Sequence, residues 1–143
     1  MSTVLESKVE TRRFVYPRVA NARATAHGGD LLKWMEQIGA MSAMRFAGTD
    51  TLTVGMDDVR FRRPLAQGAI ALLDAFVVDT GETSLSVHVR CFEEDRHTGE
   101  RTLATAATTA SVAVDDDGET VTVPDLTVET EAGERLLAAA DDE

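Results

Sequence analysis

Cysteine is almost absent from this chain of 143 residues: the single Cys91 excludes an intramolecular disulfide and suits a reducing compartment. Disulfide-based redox chemistry drops out with it. Long apolar runs are missing too. The chain opens on polar residues (Ser2, Thr3, Glu6, Lys8, Glu10), and no later segment approaches the roughly 20 apolar residues of a membrane span. A soluble cytoplasmic protein with no membrane partner is the expectation. Positive charge is in short supply, with 14 basic against 25 acidic residues and a formal net charge of −11. Nucleic acids and anionic membranes both bind cationic surfaces, so neither is an expected partner. No phosphate-binding loop or dinucleotide motif occurs, and there are no internal repeats. His88 and His97 lack partners at metal-ligand spacing, so no metal and no cofactor is expected.

What is present is unevenly distributed. Twelve of the basic residues are Arg and only Lys8 and Lys33 are Lys, a balance that, with the acid excess, resembles proteins of salt-loving organisms. Residues 115–143 hold eleven acids and one base (Arg135), contributing −10, whereas residues 1–114 hold 14 acids and 13 bases. The length suits one domain with one core. Composition divides the chain into that domain, over 1–120, and an acidic tail over 121–143, in which Glu131 to Ala140 could form a short helix.

Apolar spacing orders the elements. Ser7 to Tyr16 reads as a first strand ending near Pro17. From Gly29 to Phe46, Leu31, Leu32, Met35, Ile38, Gly39, Ala43 and Phe46 recur at three, four and seven, which predicts one long helix, with Gly48 as its terminator. Four strands follow. In Thr51 to Phe61 the alternation changes phase across Asp57 and Asp58, as a β-bulge would cause. Ile70 to Val78 is nearly continuously apolar, Gly81 and Glu82 supply a turn, and Leu85, Val87, Val89 and Cys91 then share one face. Cys91 therefore reads as core rather than nucleophile. Arg101 to Val114 is rich in Ala, which allows a helix, but its Thr residues and the Val112, Val114 ending favour a strand against which a helix can lie closely. One long apolar helix needs a sheet that curls around it. The expected fold is α+β: a hot-dog fold, in which a curved antiparallel five-stranded sheet wraps around one long central helix.

Four ordered blocks carry a family resemblance. They are Asn21-Ala-Arg-Ala-Thr-Ala-His27-Gly28-Gly29 with Glu36 seven residues on, Val59-Arg-Phe61-Arg-Arg-Pro64 with Gly68, Thr83-Ser84-Leu-Ser-Val-His-Val, and Val112-Ala-Val-Asp115 with Gly118. Over roughly residues 8 to 120 the chain resembles the acyl-CoA thioesterases of the hot-dog superfamily. The resemblance implies hydrolysis of acyl-CoA to a free carboxylic acid and CoA, with CoA entering only as part of the substrate. It also implies a homo-oligomer, at least a dimer, because the family builds its sites between subunits, and trimers of dimers are common in it. A non-catalytic acyl-CoA binding or sensing module is the alternative. Two departures stand out: many relatives have Asp where this chain has Glu36, and Gly where it has Ala24.

The chemistry of these residues can be argued separately. Thioester hydrolysis develops negative charge on the carbonyl oxygen, and N–H groups at a helix N-terminus stabilise it without reorganising. Gly28 and Gly29, lacking Cβ atoms, allow a substrate close to such amides, although the pair alone reads equally as a loop-to-helix turn. Glu36 lies about two turns into the helix, where partial desolvation would suit a base; an ion pair with Lys33 or an Arg is its structural alternative. In the family this acid activates water or attacks the thioester directly, and Asn21 positions water or substrate. His27 is a candidate contact to the acyl thioester. Arg60, Arg62 and Arg63 form the densest cationic spot, suited to the phosphates of CoA or to pairing with Asp57 and Asp58. Ser84 and Arg90 are secondary candidates for the nucleotide, by analogy with the family.

Overall fold

Helix α2 (Gly28–Ala47) sets the architecture, and its apolar stripe explains why. Leu31, Trp34, Met35, Ile38, Ala43 and Phe46, at spacings of three and four, are all buried along one face. Each of the larger aliphatic and Phe side chains contributes about 1.5–3 kcal/mol on leaving water. The helix starts at an N-cap made by His27 and stops at Gly48, whose φ of +73° lets its N–H reach the Met44 carbonyl. The predicted helix is therefore present with its terminator.

The computed structural model describes residues 3–143. A four-residue helix, α1 (Val4–Ser7), precedes β1 (Val9–Phe14), so the predicted first strand is shorter than read, and a 3₁₀ turn (Pro17–Val19) follows it. After α2 come β2 (Asp50–Phe61), β3 (Ile70–Thr80), β4 (Ser84–Glu94) and β5 (Arg101–Val114), then α3 (Glu131–Asp142). The five strands form one antiparallel sheet in the order β1-β3-β4-β5-β2, leaving β1 and β2 as its open edges. Helix α2 touches all five strands, as an apolar helix cradled by its sheet requires. At Gly39 the approach is closest: a Cβ there would stand 3.0 Å from Thr109 Oγ1 and 3.2 Å from Val89 Cγ2. The small side chains of β5 serve that approach. The expected phase change in β2 is a register shift between Asp57 and Arg60, with Asp58 at φ +54°, and a further irregularity lies between Thr53 and Gly55.

The outer face of the sheet is covered as well. Phe76 of β3, His88 and Arg90 of β4 and Ala106 of β5 point away from α2 and are nonetheless buried. Helix α3 covers part of this face. Its first turn sits beside Val4 and Val128 at Gly133, and its last residues share a pocket with Arg60 of β2, His88 of β4 and Thr108 of β5. Past the expected domain boundary at residue 120 the chain is still packed: Val123 joins the core and its N–H donates to the Glu82 carbonyl. On this face Asp74, fully buried, accepts two hydrogen bonds from Arg90, Nε to Oδ1 at 2.8 Å and Nη2 to Oδ2 at 2.6 Å, with Lys8 Nζ 3.9 Å away. Burial opposes the Arg90 charge, but the bonds to Asp74 and the charges of Asp74 and Glu143 outweigh it and raise its pKa.

Candidate active site

The loop from Asn21 to His27 brings the chain to the start of α2. Asn21 Oδ1 accepts three hydrogen bonds inside that loop, from the Arg23 and Thr25 amides (2.9 and 3.2 Å) and from Thr25 Oγ1 (3.1 Å). Its Nδ2 group has no hydrogen-bond partner among the described residues. Ala24 sits at φ +59°, a left-handed conformation that favours glycine. This gives a physical reason for Gly at that position in relatives. The loop is tied down on both sides: His27 N–H donates to the Val19 carbonyl at 2.7 Å, and Ala26 N–H to the Leu65 carbonyl at 2.8 Å.

The two glycines have different surroundings. His27 Nδ1 accepts the Gly29 amide hydrogen at 3.1 Å, and a Cβ on Gly29 would stand 3.2 Å from that same nitrogen. Gly29 is thus the residue over which the imidazole folds. Gly28 instead faces open space, with only Phe61 Cζ within 4 Å of a Cβ built there, at 3.9 Å. It lines a cleft of about 340 Å³ with Leu31, Phe61, Arg62, Arg63 and Leu65. Helix start and arginine cluster, 33 residues apart in sequence from Gly28 to Phe61, therefore meet in one cleft. Ser84 and Arg90 lie outside it.

Glu36 is half-buried, and its Oε2 accepts a hydrogen bond from Thr53 Oγ1 at 3.1 Å. It has no ion pair with Lys33 or any Arg among the described residues, so the structural alternative read from sequence is not what holds it. Thr53 was not legible as a site residue. It lies on edge strand β2, and nothing in local spacing ties it to an acid 17 residues earlier. Around this pair Met41, Leu52 and Val54 are exposed, the last two at 57% and 65%.

The arginines are engaged by acids other than Asp57 and Asp58. Arg62 Nη2 donates to the main-chain oxygen of Glu143. Arg63 Nη2 donates to Glu93 Oε1 at 2.9 Å, while Glu93 Oε2 takes the Ala66 amide at 3.1 Å. Arg60 lines the pocket beneath the end of α3. Cys91 is fully buried and its thiol is pushed up to about 12 by burial, aided by the charges of Asp74 and Glu93. Among the described residues no group of three or more His, Cys, Asp or Glu could hold a metal ion, and no helix is long and apolar enough to cross a membrane.

Comparison with known proteins places these features in context. The family model of the thioesterase superfamily matches residues 24–100. An uncharacterized acyl-CoA thioester hydrolase, YkhA of Bacillus subtilis, is 36% identical over 126 residues, covering 88% of this chain and 73% of that protein. An acyl-CoA hydrolase from Staphylococcus aureus, solved in complex with butyryl coenzyme A, coenzyme A and coenzyme A disulfide, is 30% identical and superposes with a TM-score of 0.90, covering 99% of this chain and 87% of that one. The same hydrolase has been solved with one Asp, one Thr or one Asn replaced by Ala. A hexameric acyl-CoA thioesterase is 34% identical with a TM-score of 0.88, covering 99% of this chain and 92% of that one.

Proposed function

The chain belongs to the thioesterase superfamily and is a thioester hydrolase, and we propose that it cleaves acyl-CoA to a free acid and CoA, with the Gly28 amide polarising the carbonyl and Glu36 as the working carboxylate. The observation that carries this reading is the division of labour at the start of α2. Of the two glycine amides, Gly29's is taken by His27, while Gly28 lines a cleft together with Arg62 and Arg63 and its amide has no such side-chain cap. A first-turn amide has no intrahelical acceptor and sits at the positive end of the helix dipole. It stabilises the oxyanion that forms as the carbonyl carbon becomes tetrahedral. Glu36 either takes a proton from the attacking water or attacks the carbon itself; the C–S bond then breaks and CoA leaves as its thiolate, and on the second route a water then hydrolyses the acyl–Glu36 anhydride, releasing the acid and freeing the carboxylate. Thr53 holds one Glu36 oxygen by donating to it and leaves the other for the reaction. The Asn, Asp and Thr replaced in the Staphylococcus aureus hydrolase are separated by intervals of 15 and 17 residues, as Asn21, Glu36 and Thr53 are here. That agreement supports a shared trio, with Glu for Asp. Arg62 and Arg63, at the mouth of the cleft, suit the phosphates of CoA.

The working unit is at least a dimer. Glu36 and Gly28 stand eight residues apart on the one rigid helix α2, about 12 Å from each other at 1.5 Å per residue, with Glu36 bonded to Thr53 and Gly28 beside Phe61 further along β2. One chain therefore cannot easily bring its own Glu36 and Gly28 to one carbonyl. A second copy laid along edge strand β2 covers Leu52, Val54 and Met41 and brings its own Gly28 to this Glu36.

The test is Glu36→Gln, assayed by release of free thiol from a panel of acyl-CoAs. Turnover should fall by at least about a hundredfold while oligomer size and circular dichroism stay unchanged. Wild-type rates in that variant would remove Glu36 from the mechanism.

A further inference from the structure

The acids of the tail are not simply solvated. Helix α3 crosses the outer face of the sheet and delivers Asp141, Asp142 and Glu143 to a pocket of about 170 Å³ lined by Arg60, His88 and Thr108. There Glu143 Oε1 meets His88 Nε2 at 2.8 Å, Glu143 Oε2 lies 3.5 Å from Arg90 Nη1, and the Glu143 main-chain oxygen accepts from Arg62. His88 and Arg90 are buried, so this end of the helix is seated in a built pocket and not draped over a surface. The rest of α3 is loosely held: Gly133 is its only buried residue. Arg62 links the two places: it lines the Gly28 cleft and binds the main-chain oxygen at the end of α3.

We propose that the acidic end of α3, Asp141 to Glu143, is a tethered anion that competes with the phosphates of CoA for Arg60 and Arg62. The proposal rests on the reading of Arg62 as a phosphate ligand given above. Arg62, bonded to the Glu143 main-chain oxygen, must exchange that contact for phosphate oxygens when CoA arrives, and Arg60, in the same pocket as Asp141 to Glu143, lies in the field of their carboxylates. The tether makes that competitor intramolecular, so its effective concentration is high whatever the protein concentration. Such competition scales the apparent affinity for CoA by the fraction of molecules in which the arginines are free, without touching Gly28 or Glu36. The enzyme thereby binds its product more weakly and frees it sooner.

The test measures CoA binding by calorimetry beside thiol release from acyl-CoA. The variant Asp141→Asn/Asp142→Asn/Glu143→Gln is compared with a charge-matched control, Asp116→Asn/Asp125→Asn/Glu129→Gln, whose acids lie elsewhere in the tail. At low salt the first variant should bind CoA about fivefold more tightly than wild type and the control should not; the difference should close near 1 M salt, where screening reaches about 3 Å. Glu143→Ala alone, which removes only the anchor, should move in the same direction and serves if the triple variant fails to fold. Equal affinity in wild type and variant, equal gains in variant and control, or weaker binding in the variant each overturn the latch. If the wild type hydrolyses acyl-CoA and the latch test fails, the hydrolase reading stands alone. If no acyl-CoA is hydrolysed but the variant binds CoA more tightly, the latch stands and the hydrolase reading falls. Absence of CoA binding in every variant overturns both.

Discussion

Replacing Asp74 by Ala tests whether the outer face of the sheet is held by charge or merely tolerates it. The substitution removes both hydrogen bonds on Arg90, at 2.8 and 2.6 Å, and the weaker approach of Lys8. Arg90, only 6% exposed, is left between the rings of Phe76 and Phe92, 5.2 and 5.0 Å from their centroids, with Glu143 Oε2 at 3.5 Å as its one remaining carboxylate. Breaking a buried pair by removing one partner costs about 3–5 kcal/mol, and the nearby Glu143 carboxylate and the two rings argue for the lower end. At an m-value of about 2 kcal/mol per molar urea, a loss of about 3 kcal/mol moves the midpoint down by about 1.5 M. The assay is equilibrium unfolding in urea followed by fluorescence of Trp34, the only Trp in the chain, which lies on the core face of α2. Protein concentration must be fixed, because assembly adds to apparent stability. The paired variant Asp74→Leu/Arg90→Met should recover most of the loss, since two well-packed apolar side chains replace the ion pair without stranding a charge. A single variant costing under about 1 kcal/mol, or a double variant as unstable as the single, would refute the reasoning.

Two further outcomes follow from local geometry. Ala24→Gly should raise stability by about 1 kcal/mol, because it relieves a Cβ-bearing residue at φ +59°; a midpoint that falls in urea would show the loop to be unstrained. The Cys91 thiol should resist aromatic disulfide reagents at pH 8 in the native protein and react only as fast as the chain unfolds. Its folded pKa of about 12 lies above the unfolded value of about 8.5, so this group's contribution to stability is complete below that lower value and is lost as pH rises towards 12. Rapid labelling at pH 8 without denaturant would place the thiol at the surface.

Local patterns carried most of the fold. The three- and four-residue spacing of α2 reports one face of one helix, and the phase change across Asp57 and Asp58 reports a backbone irregularity that the structure realises as a positive φ at Asp58. In β5 the Thr and Val residues outweighed Ala because the strand is central, between β4 and β2, where ladder pairing and close approach of a helix decide the conformation. Long-range pairings left no local trace. The acids that engage Arg62 and Arg63 lie 81 and 30 residues away, so Asp57 and Asp58 were the only partners that proximity could suggest. Thr53 escaped for the same reason, since only the crossing of α2 over edge strand β2 brings it to Glu36. The apolar alternation of Leu52 and Val54 was visible, but a single chain buries neither, and the surface they present has meaning only for an assembly.

The distribution of charge now has a structural consequence. Ten units of the net −11 reside in the last 29 residues, which composition alone would treat as a solvated appendage. The fold instead returns the end of that segment across the sheet and sets it against Arg60, Arg62, His88 and Arg90. The two arginines at the Gly28 cleft are therefore already engaged within the chain. Arg62 is held by the Glu143 main-chain oxygen and Arg63 by the Glu93 carboxylate, so any phosphate that binds there must win by exchange. The acid excess and the arginine-rich cleft are thus two sides of one electrostatic balance. Both the affinity for an anionic substrate and its dependence on salt are set by that balance as much as by the arginines themselves.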